Sequence, residues 1–194
     1  MQTLTGSIRP ALCLLLVLTL ICGVCYPLVC FGILHVFFPN QSQGSLLHDK
    51  QGNVRGSALI GQPFSDPSHF WARPSATLHF PYNASASNGS NLSVNNIQLW
   101  RLVAYRANRL RAWSPTSSEA IPVDLVTASA SGLDPHISMA AALYQVPRIA
   151  NIRHKKEEEI LELVRLHREP RPFNLFGEPR VNVLKLNMAL DGIQ

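Results

Sequence analysis

A serine-rich stretch in the middle of the chain holds the residue types that nucleophilic catalysis needs. Residues 129–136 read SASGLDPH, which brings serine hydroxyls, a carboxylate and an imidazole close together in sequence. A serine nucleophile on a strand-to-helix turn normally carries the pattern G-x-S-x-G, which is absent here. The chain also lacks a Walker A sequence and the phosphorylation motif of a P-type pump. The sequence therefore predicts no assembled acid, base and nucleophile, and no enzyme activity of the chain's own.

Two further patterns are typical of ion binding, but each has a simpler interpretation. Residues 87–91 read SNGSN, whose backbone N–H groups can face an anion, although such a stretch is more often a plain turn. Cys22 and Cys25 form a C-x-x-C, yet all four cysteines lie in one apolar segment, where cysteine packs as a small apolar residue. No second cysteine pair or matching histidine completes a zinc site. We expect no metal and no resident cofactor.

The elements that must position these residues begin with a membrane anchor. Residues 11–38 contain no Asp, Glu, Lys or Arg, and roughly 20 apolar residues suffice to cross a bilayer. A signal peptide is disfavoured because no A-x-A cleavage site follows the apolar core. Arg9 before the segment weakly favours a cytoplasmic amino terminus. The sequence predicts a cytoplasmic tail over 1–10, a transmembrane helix and its exit over 11–38, and an extracytoplasmic, periplasmic α+β domain over 39–194.

Two features of the anchor bear on partners in the lipid bilayer. Pro27 removes a helical hydrogen bond and predicts a kink. Cys22 and Gly23 are small, so a partner helix can approach closely there, although no G-x-x-x-G motif is present. The formal charge of +5 is spread along the chain without a basic stripe, which argues against a nucleic-acid partner.

The first half of the domain contains one clear helix. Weak alternation over 54–60 favours a strand, and 62–96 is a Pro-, Ser-, Asn- and Gly-rich loop that is either a docking loop or holds unrecognised strands. Asn95 or Asn96 caps a helix that runs to about Trp113. Arg106 lies in the middle of its apolar face, which predicts either a carboxylate or several carbonyls around the guanidinium, or a stem that reaches water.

The sequence of the second half of the domain predicts both strands and helices. Residues 123–128 read as a buried strand, and Asp134 as the cap of a helix over 135–152 that Pro147 kinks or divides. A second helix covers about 155–167, with three glutamates in its first turn. Residues 181–186 are either a last strand or the start of a C-terminal helix.

Motifs along almost the whole chain resemble one family. They are RGSALIGQ at 55–62 with Phe64, Phe70 with RPSA at 73–76, YN at 82–83, GSNL at 89–92, PVDLVTAS at 122–129, SGLDPHIS at 131–138, QVPRIA at 145–150, GEPRVNVL at 177–184, and Leu186-Asn187 with Leu190-Asp191. In this order and spacing they are similar to KdpC, the C subunit of the bacterial Kdp potassium-transporting P-type ATPase. Asn88 departs from the family, which usually has glycine there.

The resemblance implies an accessory subunit of a high-affinity, ATP-driven potassium importer in the bacterial inner membrane. Its partners would be the channel-like KdpA, the ATP-hydrolysing KdpB and the small KdpF. It implies stabilisation of that assembly and a catalytic-chaperone role that raises the ATP affinity of KdpB, with potassium as cargo. Direct contact with ATP conflicts with a periplasmic domain, so ATP is expected only together with the ATPase subunit.

The alternative is a free-standing single-pass membrane protein with an extracytoplasmic binding or hydrolytic domain. The candidate docking or structural residues come from the shared motifs, and the candidate helix-packing residues are Cys22, Gly23 and Pro27. The motif residues are Arg73, Ser90, Asn91, Ser129, Ser131, Gly132, Asp134, His136, Gln145, Arg148, Glu178, Arg180 and Asn182.

Overall fold

The computed structural model describes residues 4–113 and 120–193, which divide into two compact units between Ser45 and Leu46. The first unit is an apolar helix and the second is a small α+β region with two sheets. The predicted fold class is therefore confirmed.

The helical unit consists of α1 (Leu4–Leu20), a π-helical turn (Ile21–Cys25), α2 (Tyr26–Phe37) and the short α3 (Pro39–Ser42). The stretch Ile8–Phe37 has a mean hydropathy of 2.6 and is long and apolar enough to cross a membrane. The helix continues from α1 into α2, because Cys25 and Tyr26 both have right-handed helical backbone angles. The π-helical turn ends at Cys25, two residues before Pro27, and the N–H of Tyr26 donates to Ile21 O. The π-helical turn thus shifts the hydrogen-bond pattern next to the residue that has no N–H to donate.

The second unit begins with a hairpin and contains a three-stranded sheet. Strands β1 (Leu46–His48) and β2 (Val54–Ser57) pair antiparallel. The second sheet has the order β3-β5-β4, formed antiparallel by β3 (His136–Ser138), β5 (Arg180–Asn182) and β4 (Arg168–Glu169). The register places His136 opposite Asn182, and Glu169 opposite Arg180.

Four helices complete the domain: α4 (Ile97–Trp113), α5 (Met139–Arg153), α6 (Glu157–Leu166) and α7 (Val183–Leu190). Helices α5, α6 and α7 and the three-stranded sheet bury one apolar core, and burial of this surface away from water stabilises the domain. Its fully buried members include Ile137, Ile149, Ile160, Val164, Val181 and Leu186.

Several predicted elements are confirmed. Helix α4 follows Asn96, whose Oδ1 accepts the N–H of Gln98 at 2.8 Å, so Asn96 and not Asn95 is the cap. Helix α6 lies within the predicted range and carries the three glutamates in its first turn. At 181–186 both alternatives occur in succession, because β5 ends at Asn182 and α7 begins at the next residue.

The prediction for 123–138 was wrong in two respects. Val123–Leu125 is a 3₁₀ turn and not a strand. Helix α5 begins at Met139 with Ser138 as its cap, because His136–Ser138 pairs with β5 instead of continuing the helix. Asp134 accepts the N–H of His136 at 3.0 Å and so forms a local turn.

Pro147 lies inside α5 and does not divide it. Arg106 donates to one carbonyl, Val126 O, at 2.8 Å, and is half-buried, so it has fewer partners than the buried alternative predicted.

Residues 62–96 contain no strand and only one short 3₁₀ turn, Ala84–Ala86. Phe70 and Trp71 within this loop are nevertheless buried in the core. Their backbone polar groups must therefore find partners outside any sheet.

Candidate functional site

A chain of ionic contacts runs along the three-stranded sheet. Arg73 NH1 lies 3.1 Å from Asp134 Oδ2, and Asp134 Oδ1 lies 3.3 Å from His136 Nδ1. His136 Nε2 lies 3.2 Å from Glu169 Oε2, which also accepts a hydrogen bond from Arg180 Nε at 3.2 Å. The antiparallel register produces this arrangement, because it places β3, β5 and β4 side by side.

Both carboxylates in the chain are held in their ionised form. Burial opposes ionisation of Asp134, but hydrogen bonds from His136 and the charge of Arg73 outweigh it and lower its pKa. Burial likewise opposes ionisation of Glu169, whereas the hydrogen bond from Arg180 and nearby positive charges lower its pKa. Two anions, Asp134 and Glu169, therefore each lie beside an arginine, with the imidazole of His136 between them.

All members of this ionic chain except Glu169 line an open groove with a volume of about 560 Å³. Five residues predicted from the sequence line it: Arg73, Asp134, His136, Glu178 and Arg180. No group of three or more His, Cys, Asp or Glu side chains suited to a metal ion occurs within 4–113 and 120–193. The groove offers charged groups of both signs, which suits recognition of a polar partner surface.

The side chains of Gln145 and Arg148 on α5 form hydrogen bonds to the backbone of the loop at 62–96. Gln145 Oε1 accepts the N–H of Trp71 at 2.8 Å, and Gln145 Nε2 donates to Trp71 O at 3.2 Å. Arg148 donates to Pro67 O and, at 3.0 Å, to His69 O. Burial lowers the pKa of Arg148 to about 10. These two side chains supply the hydrogen bonds that a neighbouring strand would otherwise give.

Two serine hydroxyls of the serine-rich turn at 129–133 accept hydrogen bonds from backbone N–H groups of the same turn. Ser129 Oγ accepts the N–H of Gly132 at 2.9 Å, and Ser131 Oγ accepts the N–H of Leu133 at 3.1 Å. Gly132 has φ +68°, and a Cβ there would lie 2.6 Å from Asn88 O. The turn thus packs closely on the loop, and glycine is required at its centre.

The remaining candidates lie apart from one another. Ser90 is exposed, while Asn91 adopts φ 51° and donates to Asn88 Oδ1 at 3.2 Å, which fits a turn. Asn182 accepts the N–H of Lys185 as the cap of α7 and donates to Ala58 O at 2.8 Å.

Within the anchor, a Cβ on Gly23 would meet only Thr19 Cγ2 at 3.8 Å. Cys22 is a free, exposed thiol, so the surface of the single helix is open at both positions.

Sequence reasoning missed three residues that belong to this arrangement. Glu169 joins the two halves of the ionic chain, but it lies in a two-residue strand without a motif. Asn187 repeats the role of Gln145 one residue earlier, since it accepts the N–H of Phe70 at 2.9 Å and donates to Phe70 O at 3.0 Å. The guanidinium carbons of Arg109 and Arg148 each lie over the ring of Trp71, at 4.6 and 4.4 Å from its centre. A polar residue on an otherwise apolar helix face was the available signal for Asn187.

Comparison with known proteins gives a consistent result. A family model described as KdpC, the K+-transporting ATPase c chain, matches residues 8–192. The chain is 52% identical over 186 residues to the potassium-transporting ATPase KdpC subunit of Methylococcus capsulatus, covering 96% of this chain and 97% of that protein. It is 54% identical over 187 residues to the corresponding subunits of Polaromonas naphthalenivorans and Sorangium cellulosum. These alignments cover 96% of this chain and 95% and 98% of those proteins.

Proposed function

The chain belongs to the KdpC family of potassium-transporting ATPase subunits, and we propose that it is the non-catalytic assembly subunit of a high-affinity potassium import complex. In this role it stabilises the association of a potassium-translocating KdpA subunit with an ATP-hydrolysing KdpB subunit, together with the small KdpF. Potassium is the cargo of the complex.

The groove beside the three-stranded sheet supports this role most directly. Five motif residues from distant parts of the sequence converge on it, and its lining carries arginines and carboxylates side by side. Charges of both signs favour a partner of matching charge pattern and penalise others. We propose that this groove, with Glu178 at its edge, is the face that docks on the larger subunits.

We further propose that the chain lies in the bacterial inner membrane with its amino terminus in the cytoplasm and its domain in the periplasm. The apolar stretch Ile8–Phe37 and the single base, Arg9, near its start support this orientation. With ATP on the other side of the membrane, a catalytic-chaperone effect on ATP affinity would act through the assembled subunits and not through contact with the nucleotide.

Co-purification tests the assembly role. The full-length chain with Arg180→Gln, which removes a cation from the groove, should recover less KdpA and KdpB in mild detergent and impair growth at low potassium. Arg165→Gln is the matched control, because the Arg165 side chain is exposed on α6 and its ion pair is a 3.8 Å contact with Glu162. Equal recovery of KdpA and KdpB with both variants, together with unchanged growth at low potassium, would show that the groove is not part of the docking surface.

Labelling with an impermeant thiol reagent tests the orientation. After replacement of the four native cysteines, a single cysteine at exposed Ser131 should react in intact spheroplasts. A second site at exposed Glu158 guards against coverage by a partner subunit. Protection of both sites until lysis would place the domain in the cytoplasm.

A further inference from the structure

Helix α4 presents an unusual surface that the ionic groove does not use. Its 17 residues include four arginines and no acidic residue. None of these arginines forms an ion pair with a carboxylate among the residues that the structure describes. The arginines are Arg101, Arg106, Arg109 and Arg111. The helix is therefore a locally uncompensated positive surface.

The same helix exposes large amphipathic side chains. Trp100 is 59% exposed and Tyr105 is 68% exposed, and Ile97 is exposed beside them. The indole N–H of Trp100 donates to Val94 O at 2.8 Å, so an exposed valine extends the apolar surface. Tryptophan and tyrosine with arginine on one helix are typical of segments that lie at a membrane–water interface.

A cleft at the side of α4 concentrates the positive charge. It has a volume of about 270 Å³, and its lining includes Arg73, Arg106 and Arg109 but no acidic residue. Arg106 donates one hydrogen bond, to Val126 O. The NH1 group of Arg73 is paired with Asp134, but its Nε is buried without a hydrogen-bond partner among the described residues. Guanidinium donors thus remain available for an oxyanion.

Trp71, which lines the cleft, is in contact with two guanidinium groups. The guanidinium carbons of Arg109 and Arg148 lie 4.6 and 4.4 Å from its ring centre. Burial lowers the pKa of Arg148, the charge of Asp66 raises it, and the charge of Arg109 lowers it. Arg109 is the member of this pair that lines the cleft and can face an anion there.

We propose that α4 binds the surface of an anionic phospholipid bilayer, with a headgroup phosphate in the cleft lined by Arg106 and Arg109. Residues 38–45 separate the anchor helix from the domain, and a chain of that length spans at most about 30 Å. The domain therefore stays near the bilayer, where a lipid surface is always in reach. An acidic surface of a protein partner is the competing occupant.

Quenching of tryptophan fluorescence by brominated lipids tests this directly. The three tryptophans all lie in the domain, Trp71 is buried, and Trp100 and Trp113 belong to α4. The full-length chain is reconstituted in vesicles of phosphatidylcholine alone or with phosphatidylglycerol, each with and without bromine. Quenching should be stronger in the anionic vesicles, should fall at high salt, and should largely disappear in Trp100→Phe.

Charge-removal variants identify the binding groups. Each arginine near an anionic surface contributes roughly a five-fold factor, so Arg101→Gln with Arg111→Gln should lower the docked-to-undocked ratio about 25-fold. Both side chains are exposed, so this pair should not affect folding. Arg106→Gln should weaken binding as well, whereas Arg165→Gln on α6 should leave it unchanged.

The remaining outcomes overturn the proposal. Equal quenching in neutral and anionic vesicles would show an apolar contact without phosphate recognition. Loss of the anionic effect with inorganic phosphate at constant ionic strength would identify a free-anion site. Absence of quenching in vesicles, with Trp100 shielded only in the assembled complex, would identify a protein partner.

Discussion

Replacement of Gln145 by leucine should destabilise the domain by removing the hydrogen-bonding partner of the buried loop. Gln145 is 1% exposed and bonds both the N–H and the C=O of Trp71. It also accepts a hydrogen bond from Arg148 at 2.7 Å. Leucine has a similar size but offers neither a donor nor an acceptor, so the substitution changes polarity with little change in volume.

The magnitude follows from the groups that lose partners. Each buried backbone group left without a hydrogen bond costs about 1–3 kcal/mol. Two such groups on Trp71 give a loss of about 4 kcal/mol in the free energy of unfolding. Arg148 retains Pro67 O and His69 O as acceptors, so its contribution should be smaller. Because domains are typically stable by about 5–15 kcal/mol, the variant should be close to unfolding.

Urea denaturation of the full-length chain in detergent, followed by tryptophan emission, measures this loss. Gln98→Leu is the matched control, because Gln98 is exposed on α4 and only its backbone N–H is bonded to a capping side chain. We expect the control to change stability by less than about 0.5 kcal/mol. A loss below about 1 kcal/mol for Gln145→Leu would show that the loop finds other partners and would refute the reasoning.

Three further predictions follow from the glycines and the ionic chain. Gly132→Ala should cost about 2–3 kcal/mol in urea denaturation, because φ is positive and the new Cβ would lie 2.6 Å from Asn88 O; wild-type stability would contradict this. The lowered pKa of Asp134 means that its contribution is complete above the unfolded pKa near 4 and is lost as pH falls below it. Asp134→Asn should therefore flatten the acid limb of a stability–pH profile, and an unchanged limb would contradict it. Gly23→Leu should reduce recovery of the complex with helix content unchanged, whereas Gly32→Leu, on a different face, should not; equal recovery would make the helix a plain anchor.

The sequence predicted a helix correctly where its apolar spacing or its first-turn and capping residues gave a clear local signal. Helix α4 followed from apolar spacing and Asn96, and α6 from its acidic first turn. It failed over 123–125, where the chain forms a 3₁₀ turn whose Asp124 side chain accepts the N–H of Ser138. It also failed over 135–138, because the local preference for a proline-started helix lost to pairing between β3 and β5. The pairing of β3 with β5 joins segments more than 40 residues apart in the sequence. A local sequence pattern cannot predict a contact over that separation.

The candidate residues were predicted through motifs, and the structure gives many of those motifs a common physical cause. A loop that buries Phe70 and Trp71 without a strand leaves its backbone groups to be bonded by side chains. A side-chain amide can accept from a backbone N–H and donate to a backbone C=O, whereas a guanidinium can only donate to C=O, which explains why polar residues occur on the buried faces of α5 and α7. Gln145 and Asn187 therefore hold the loop in place, and the same loop carries Arg73, which pairs with Asp134 at the start of the ionic chain. Loss of either amide should thus disturb the groove as well as the core, and a reduced recovery of the complex in Asn187→Leu would show that the loop and the docking face are coupled.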